Sequence, residues 1–144
     1  MPLVDHQGVQ IHYEVEGEGP PIVLAHPFSG STAFWRGYGY VDQLEDEFRV
    51  VLFDARGHGK SDKLHDAAAY DHRLMIGDVL AVLDALGIDS AHYWGYSMGG
   101  AIGLGVAKLH PERLRSLVAG GPTPAIPPTR ATNPALCSRS SGVD

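Results

Sequence analysis

Ser97 stands in Gly95-Tyr96-Ser97-Met98-Gly99, between an apolar run at 91–94 and a stretch rich in Ala, Leu and Val that continues to 109. A serine between glycines at this spacing, with a strand before it and a helix after it, is the arrangement of a nucleophile elbow. The chemistry it serves is attack by a hydroxyl on an acyl carbon. The glycines have a steric task, because a strand turning straight into a helix leaves no room for a side chain at 95 or 99. The Met98 N–H, at the start of the helix, would point at an oxyanion formed beside the serine.

The other residues able to do chemistry are His26, after the apolar run 22–25, and the group Asp54, Arg56, Gly57 and His58, after the run 49–53. A metal-dependent hydrolase on His26 and His58 is one reading of them. Asp54 and His58 offer only two ligands with an arginine between, which favours a structural loop and no metal. The single cysteine, Cys137, excludes an internal disulfide and a cysteine metal cage. No cofactor is expected.

Each of these residues needs an element to hold it. After Gly8 the chain alternates, Val9, Ile11, Tyr13 and Val15 on one face and Gln10, His12 and Glu14 on the other. This predicts an antiparallel strand hairpinned to residues 2–6 through Gln7-Gly8. The runs 22–25 and 49–53 have the continuous apolar pattern of strands covered on both faces. Between them, Trp35, Val41, Leu44 and Phe48 suggest one helix over 34–48, although Gly37 and Gly39 weaken its first turns. Asp71 caps a helix with the stripe Met75, Val79, Val82, Leu83 and Leu86, closed by Gly87, and Asp78 and Asp84 are assigned to its solvated face. His110-Pro111 stops the elbow helix, and 113–119 forms a last strand. Trp94 and Tyr96 are assigned to packing, with Tyr96 close enough to brush a substrate. The alternation predicts an α/β fold: a mainly parallel sheet with helices on both faces, N-terminal antiparallel strands, and a site at the C-terminal edge of the sheet.

The totals bound the partners. A chain of 144 residues fits one domain, placed at 1–121. The net charge of −6, with no cluster of Lys and Arg beyond pairs, excludes a nucleic-acid footprint. No run reaches the length of a membrane span and the first residues are too polar for a secretory signal, so a cytoplasmic protein is expected. Residues 122–144 hold five of the ten prolines with no periodicity, and a disordered Pro/Ser/Thr-rich tail is expected there.

With the elbow placed, two further segments complete a resemblance to the α/β-hydrolase fold superfamily. His26-Pro27-Phe28 is similar to that family's oxyanion loop, written H-G-x. Asp54-x-Arg56-Gly57-His58-Gly59-x-Ser61 is similar to its D-x-R-G-x-G-x-S loop, which shapes the site floor. The three motifs follow in order from about residue 8 to residue 121. The resemblance implies Ser97 as nucleophile, the N–H groups of Met98 and Phe28 as the oxyanion hole, and His26 as a hydrogen-bonded support of the oxyanion loop. Pro27 replaces the usual glycine, removing a donor and fixing φ while leaving the Phe28 N–H in place. It also implies a serine hydrolase acting on a small-molecule ester, lactone or related acyl bond. Serine at the elbow disfavours the branches with aspartate there, the haloalkane dehalogenases and epoxide hydrolases.

The family places its acid and then its histidine after the elbow. Beyond Ser97 this sequence has one histidine, His110, at the far end of the elbow helix. At 1.5 Å per residue it lies roughly 20 Å away. A serine without a base is a poor nucleophile. The chain therefore reads as the front part of a hydrolase, truncated or frame-shifted after the strand that follows the elbow helix, and weakly active or inactive alone. The alternative is a non-catalytic fragment or binding module that associates through the exposed edge of strand 113–119.

Overall fold

Gln7 and Gly8 both have positive φ, 53° and 88°, as the two central residues of a tight hairpin turn require. They join β1 (Leu3–His6) to β2 (Val9–Glu16) in antiparallel register, His6 opposite Val9. The computed structural model describes residues 2–121, so the tail 122–144 lies outside the described residues. β2 pairs antiparallel with β4 (Arg49–Phe53); β4, β3 (Pro21–Ala25), β5 (Ala91–Tyr96) and β6 (Leu114–Gly120) are mutually parallel. The sheet order is β1-β2-β4-β3-β5-β6, the predicted mixed sheet with its parallel majority.

Helices cover both faces, which explains why β3 and β4 are apolar without alternation. On one face α3 (His72–Ala85) and α4 (Met98–Leu109) bury Val79, Val82, Ile102 and Val106 against Val23, Val51, Tyr93 and Leu117. On the other, α1 (Thr32–Gly37) and α2 (Tyr40–Leu44) bury Trp35 and Val41 against Leu24, Val50 and Leu52. Odd and even strand positions thus feed separate cores, as the period of two demands.

The single helix expected over 34–48 is two. Tyr38 leaves helical geometry and Gly39 takes φ 79°, a left-handed conformation that ends α1 and starts α2 in a new direction. Phe48 still packs on the same core from the turn before β4. The α3 signals hold: the Asp71 carboxylate accepts the Arg73 N–H at 2.9 Å. At its other end the Ile88 N–H reaches the Leu83 carbonyl at 2.9 Å and the Gly87 N–H the Asp84 carbonyl at 3.1 Å, a Schellman closure.

Asp78 overturns its assignment to a solvated face. It is 1% exposed, and it accepts two hydrogen bonds from Arg56, Nε and Nη2, each at 2.7 Å. His6 Nδ1 lies 2.7 Å from the same carboxylate, and Arg56 Nη1 donates to the Ala69 carbonyl at 2.7 Å. A buried carboxylate is stable only when paired and saturated with donors, and this one is. Asp84, by contrast, is exposed and pairs with Arg113 at 2.7 Å. No described helix is long and apolar enough to cross a membrane.

Candidate active site

Between the last residue of β5 and the first of α4 there is only Ser97, with φ 53° and ψ −113°. An L-residue held there stores about 1–3 kcal/mol, and such strain persists only where the surroundings enforce it. They do: the Ser97 N–H donates to the Gly120 carbonyl at 2.8 Å, and the Ser97 carbonyl accepts the Ala101 N–H at 2.9 Å. A Cβ at residue 95 would fall on the Gly99 backbone, and one at residue 99 on the Ala25 carbonyl. The close crossing of β5, α4 and β3 is what forces glycine at both places. The buried Tyr93 hydroxyl donates to the Gly99 carbonyl at 2.7 Å, and burial raises its pKa, so it stays a donor.

The loop after β3 is organised by His26. Its Nδ1–H donates to the Pro27 carbonyl at 2.8 Å, and its Nε2 accepts the Ala55 N–H at 3.0 Å. Burial holds its pKa below the ordinary value against the opposing pull of the Pro27 carbonyl, so the ring is neutral with both nitrogens engaged. Pro27 contributes through its carbonyl, which also accepts the Gly30 N–H at 2.9 Å across a turn with Ser29 at φ 64°. The Phe28 ring stands out from this turn, 73% exposed.

The loop after β4 is organised by Asp54. One carboxylate oxygen accepts the Thr32 N–H at 2.8 Å; the other accepts the Lys60 N–H at 3.0 Å and His12 Nδ1–H at 2.8 Å. Burial alone would raise its pKa, but these donors outweigh burial and hold it below the usual carboxylate value. Asp54 therefore ties the exit of the His26 loop to the His58 loop. Ser61 closes the knot, its hydroxyl donating to the Asp54 carbonyl at 2.6 Å and accepting the His12 N–H at 2.8 Å. His58 Nδ1 donates to the Arg56 carbonyl at 3.1 Å, and its ring packs 5.2 Å from His26 and edge-on to Phe28 at 5.5 Å.

The three motifs converge on one cleft of about 580 Å³, lined by Phe28, Gly57, His58 and Met98 together with Tyr70 and Met75. Asp54, Arg56 and His26 are buried in the loops that frame it. Of the supporting residues, His12 and Thr32 carried no sequence signal, because their partner is set by the β2–β4 pairing and by a loop 22 residues away. Met75 belongs to the α3 stripe, and Tyr70 is fixed by hydrogen bonds from its hydroxyl to the Leu64 backbone at 2.8 and 3.0 Å. Among the described residues no three His, Cys, Asp or Glu side chains group as a metal site. What the arrangement offers is a hydroxyl on a strained corner at the positive end of a 12-residue helix, beside a largely apolar cleft.

The chain belongs to the alpha/beta hydrolase fold family, which matches residues 20–138. Bifunctional epoxide hydrolase 2 of Rattus norvegicus is 33% identical over 133 residues, 92% of this chain and 24% of that protein. Among solved structures, Est816, an N-acyl homoserine lactone degrading enzyme, superposes with TM-score 0.77 at 39% identity over 82% of this chain and 44% of that one. The enol-lactonase from Burkholderia xenovorans LB400 does so with TM-score 0.77 at 32% identity, over 83% and 46%. These relatives are hydrolases. The chain spans less than half the length of the curated relatives it matches.

Proposed function

We propose that Ser97 is the nucleophile of a serine hydrolase acting on an ester, lactone or related acyl bond. The observation that carries the reading is the backbone of Ser97, φ 53° and ψ −113°, on a corner whose flanking glycines admit no side chain. In this reading Ser97 Oγ bonds to the carbonyl carbon and gives up its proton, while the N–H groups of Met98 and Phe28 stabilise the oxyanion. The carbon–oxygen bond to the alcohol then breaks, the electron pair leaving with that oxygen. Water repeats the attack on the acyl-serine and releases the acid. A serine favours this acyl chemistry over the epoxide opening in the name of the rat relative.

The proton is the weak step. His26 has both nitrogens engaged, and His110 lies past the far end of α4, 40% exposed and 3.6 Å from Glu112. His58, on the cleft wall, has its Nδ1 engaged with the Arg56 carbonyl; in this reading the hydroxyl proton passes to solvent and the chain alone turns over slowly. Removing triad members from serine hydrolases leaves about a thousandfold over water. Steady-state hydrolysis of 4-nitrophenyl acetate by the 144-residue chain tests the reading. A slow rate that falls to the buffer rate in Ser97→Ala supports it, and equal rates for the two proteins reject it.

A second reading rests on β6, one of the two outer strands, whose free edge has no strand partner among the described residues. Such an edge is a template for another chain, here a second copy. Sedimentation across a concentration series tests it: growing dimer supports self-association, and a monomer throughout removes it.

A further inference from the structure

We infer that Phe34 and Tyr96 form a subsite for a planar, conjugated leaving group, an aryl or enol oxygen, on the flank of Ser97 opposite the cleft. The inference rests on Ser97 as the nucleophile. Tyr96 immediately precedes Ser97, and the residue is 45% exposed. Its ring lies nearly parallel to Phe34, 17° between planes and 6.0 Å between centroids. Phe34 belongs to α1, the helix that leaves the His26–Thr32 loop, and Tyr38, 70% exposed, packs on it at 5.1 Å. Three rings thus run as a strip from the nucleophile across α1.

An ester at Ser97 has two arms that leave its carbonyl carbon in different directions. The cleft, with the flexible walls of Met75 and Met98, suits an acyl chain of irregular shape. It also holds the arm that must stay in place until water attacks. Phe34 is half-buried against the α1 core, but at Tyr96 and Tyr38 the strip is open to solvent, which suits the arm that departs first. Its exposed faces attract a flat π-system by offset or edge-on stacking, an attraction that a saturated ring of equal size lacks. A phenol-type oxygen, with a pKa of about 10, also departs without a proton. That matters because His26 has no free nitrogen with which to take up the serine's proton.

Binding of two product-like alcohols to the 144-residue chain tests this, followed by NMR. Phenol is expected to half-saturate at a concentration roughly three- to tenfold lower than cyclohexanol. Its protons should show intermolecular NOEs to the Tyr96 and Phe34 rings. The preference should survive in Ser97→Ala and vanish in Tyr96→Leu and in Phe34→Leu. Equal affinity for the two alcohols, or NOEs elsewhere, overturns the subsite whether or not the leucine variants fold. Leucine variants that keep the preference but lose self-association assign the strip to a protein contact and overturn it too. If phenol binds the strip while a serine-directed phosphonate never labels Ser97, it is the nucleophile that fails, and the leaving-group role falls with it.

Discussion

Arg56 and Asp78 meet side-on inside the protein, Nε on one carboxylate oxygen and Nη2 on the other, both at 2.7 Å. The pair joins the loop that frames the cleft to the helix that supplies Met75 to it. Since both side chains are about 2% exposed, neither can be left alone without stranding a buried charge.

Arg56→Leu is therefore expected to lower stability by about 3–5 kcal/mol, because Asp78 remains buried with only His6 beside it. The double variant Arg56→Leu/Asp78→Leu should recover much of that loss, since it strands no charge. Urea denaturation of the two variants checks this. A single variant as stable as the parent would show that the pair is solvated in solution.

The elbow carries a trade between stability and chemistry. Ser97→Gly should raise stability by roughly 1 kcal/mol, as glycine takes φ 53° without strain, while removing the hydroxyl. Gly99→Ala should cost about 1–3 kcal/mol or more, because the new methyl falls on the Ala25 carbonyl. Thermal melts of both variants beside the parent read the two signs. A stabilised Gly99→Ala would mean that α4 sits farther from β3 than described.

Much of the frame was legible because it is local. The Gln7-Gly8 turn, the Asp71 cap and the apolar runs of β3 and β4 each depend on a few neighbouring residues. The elbow combines two such local signals, a glycine pattern and a switch of periodicity. The break at Gly39 was visible only as a weakness, since whether glycine bends a helix depends on what the next turn packs against. Asp78 was misassigned although a signal existed: it lies three residues after Met75 and four before Val82, on the buried stripe. What no local pattern could supply was its partner, Arg56, 22 residues earlier. The same holds for Asp54, whose donors Thr32, Lys60 and His12 come from three segments.

Acid should weaken the fold in two stages. Burial lowers the His26 pKa below 6.5, so as pH falls past that value the unfolded chain takes up the proton first. The stability His26 contributes is complete above 6.5 and is lost as pH falls towards its folded value. Asp54, held below 3.8, contributes stability above that value and loses it as pH drops through the lower folded one. The urea midpoint should accordingly fall from about pH 7.5 to about pH 5.5, and fall less in His26→Gln. Parallel pH profiles for parent and variant would show that His26 is not the group responsible.

The most direct test of the central claim is covalent. The 144-residue chain, treated with a small alkyl fluorophosphonate and digested, should carry one adduct on the peptide containing Ser97. The Ser97→Ala protein should carry none, and denaturing the parent beforehand should abolish labelling. An adduct on another residue, an adduct that persists in Ser97→Ala, or a folded chain that never reacts would contradict Ser97 as the nucleophile.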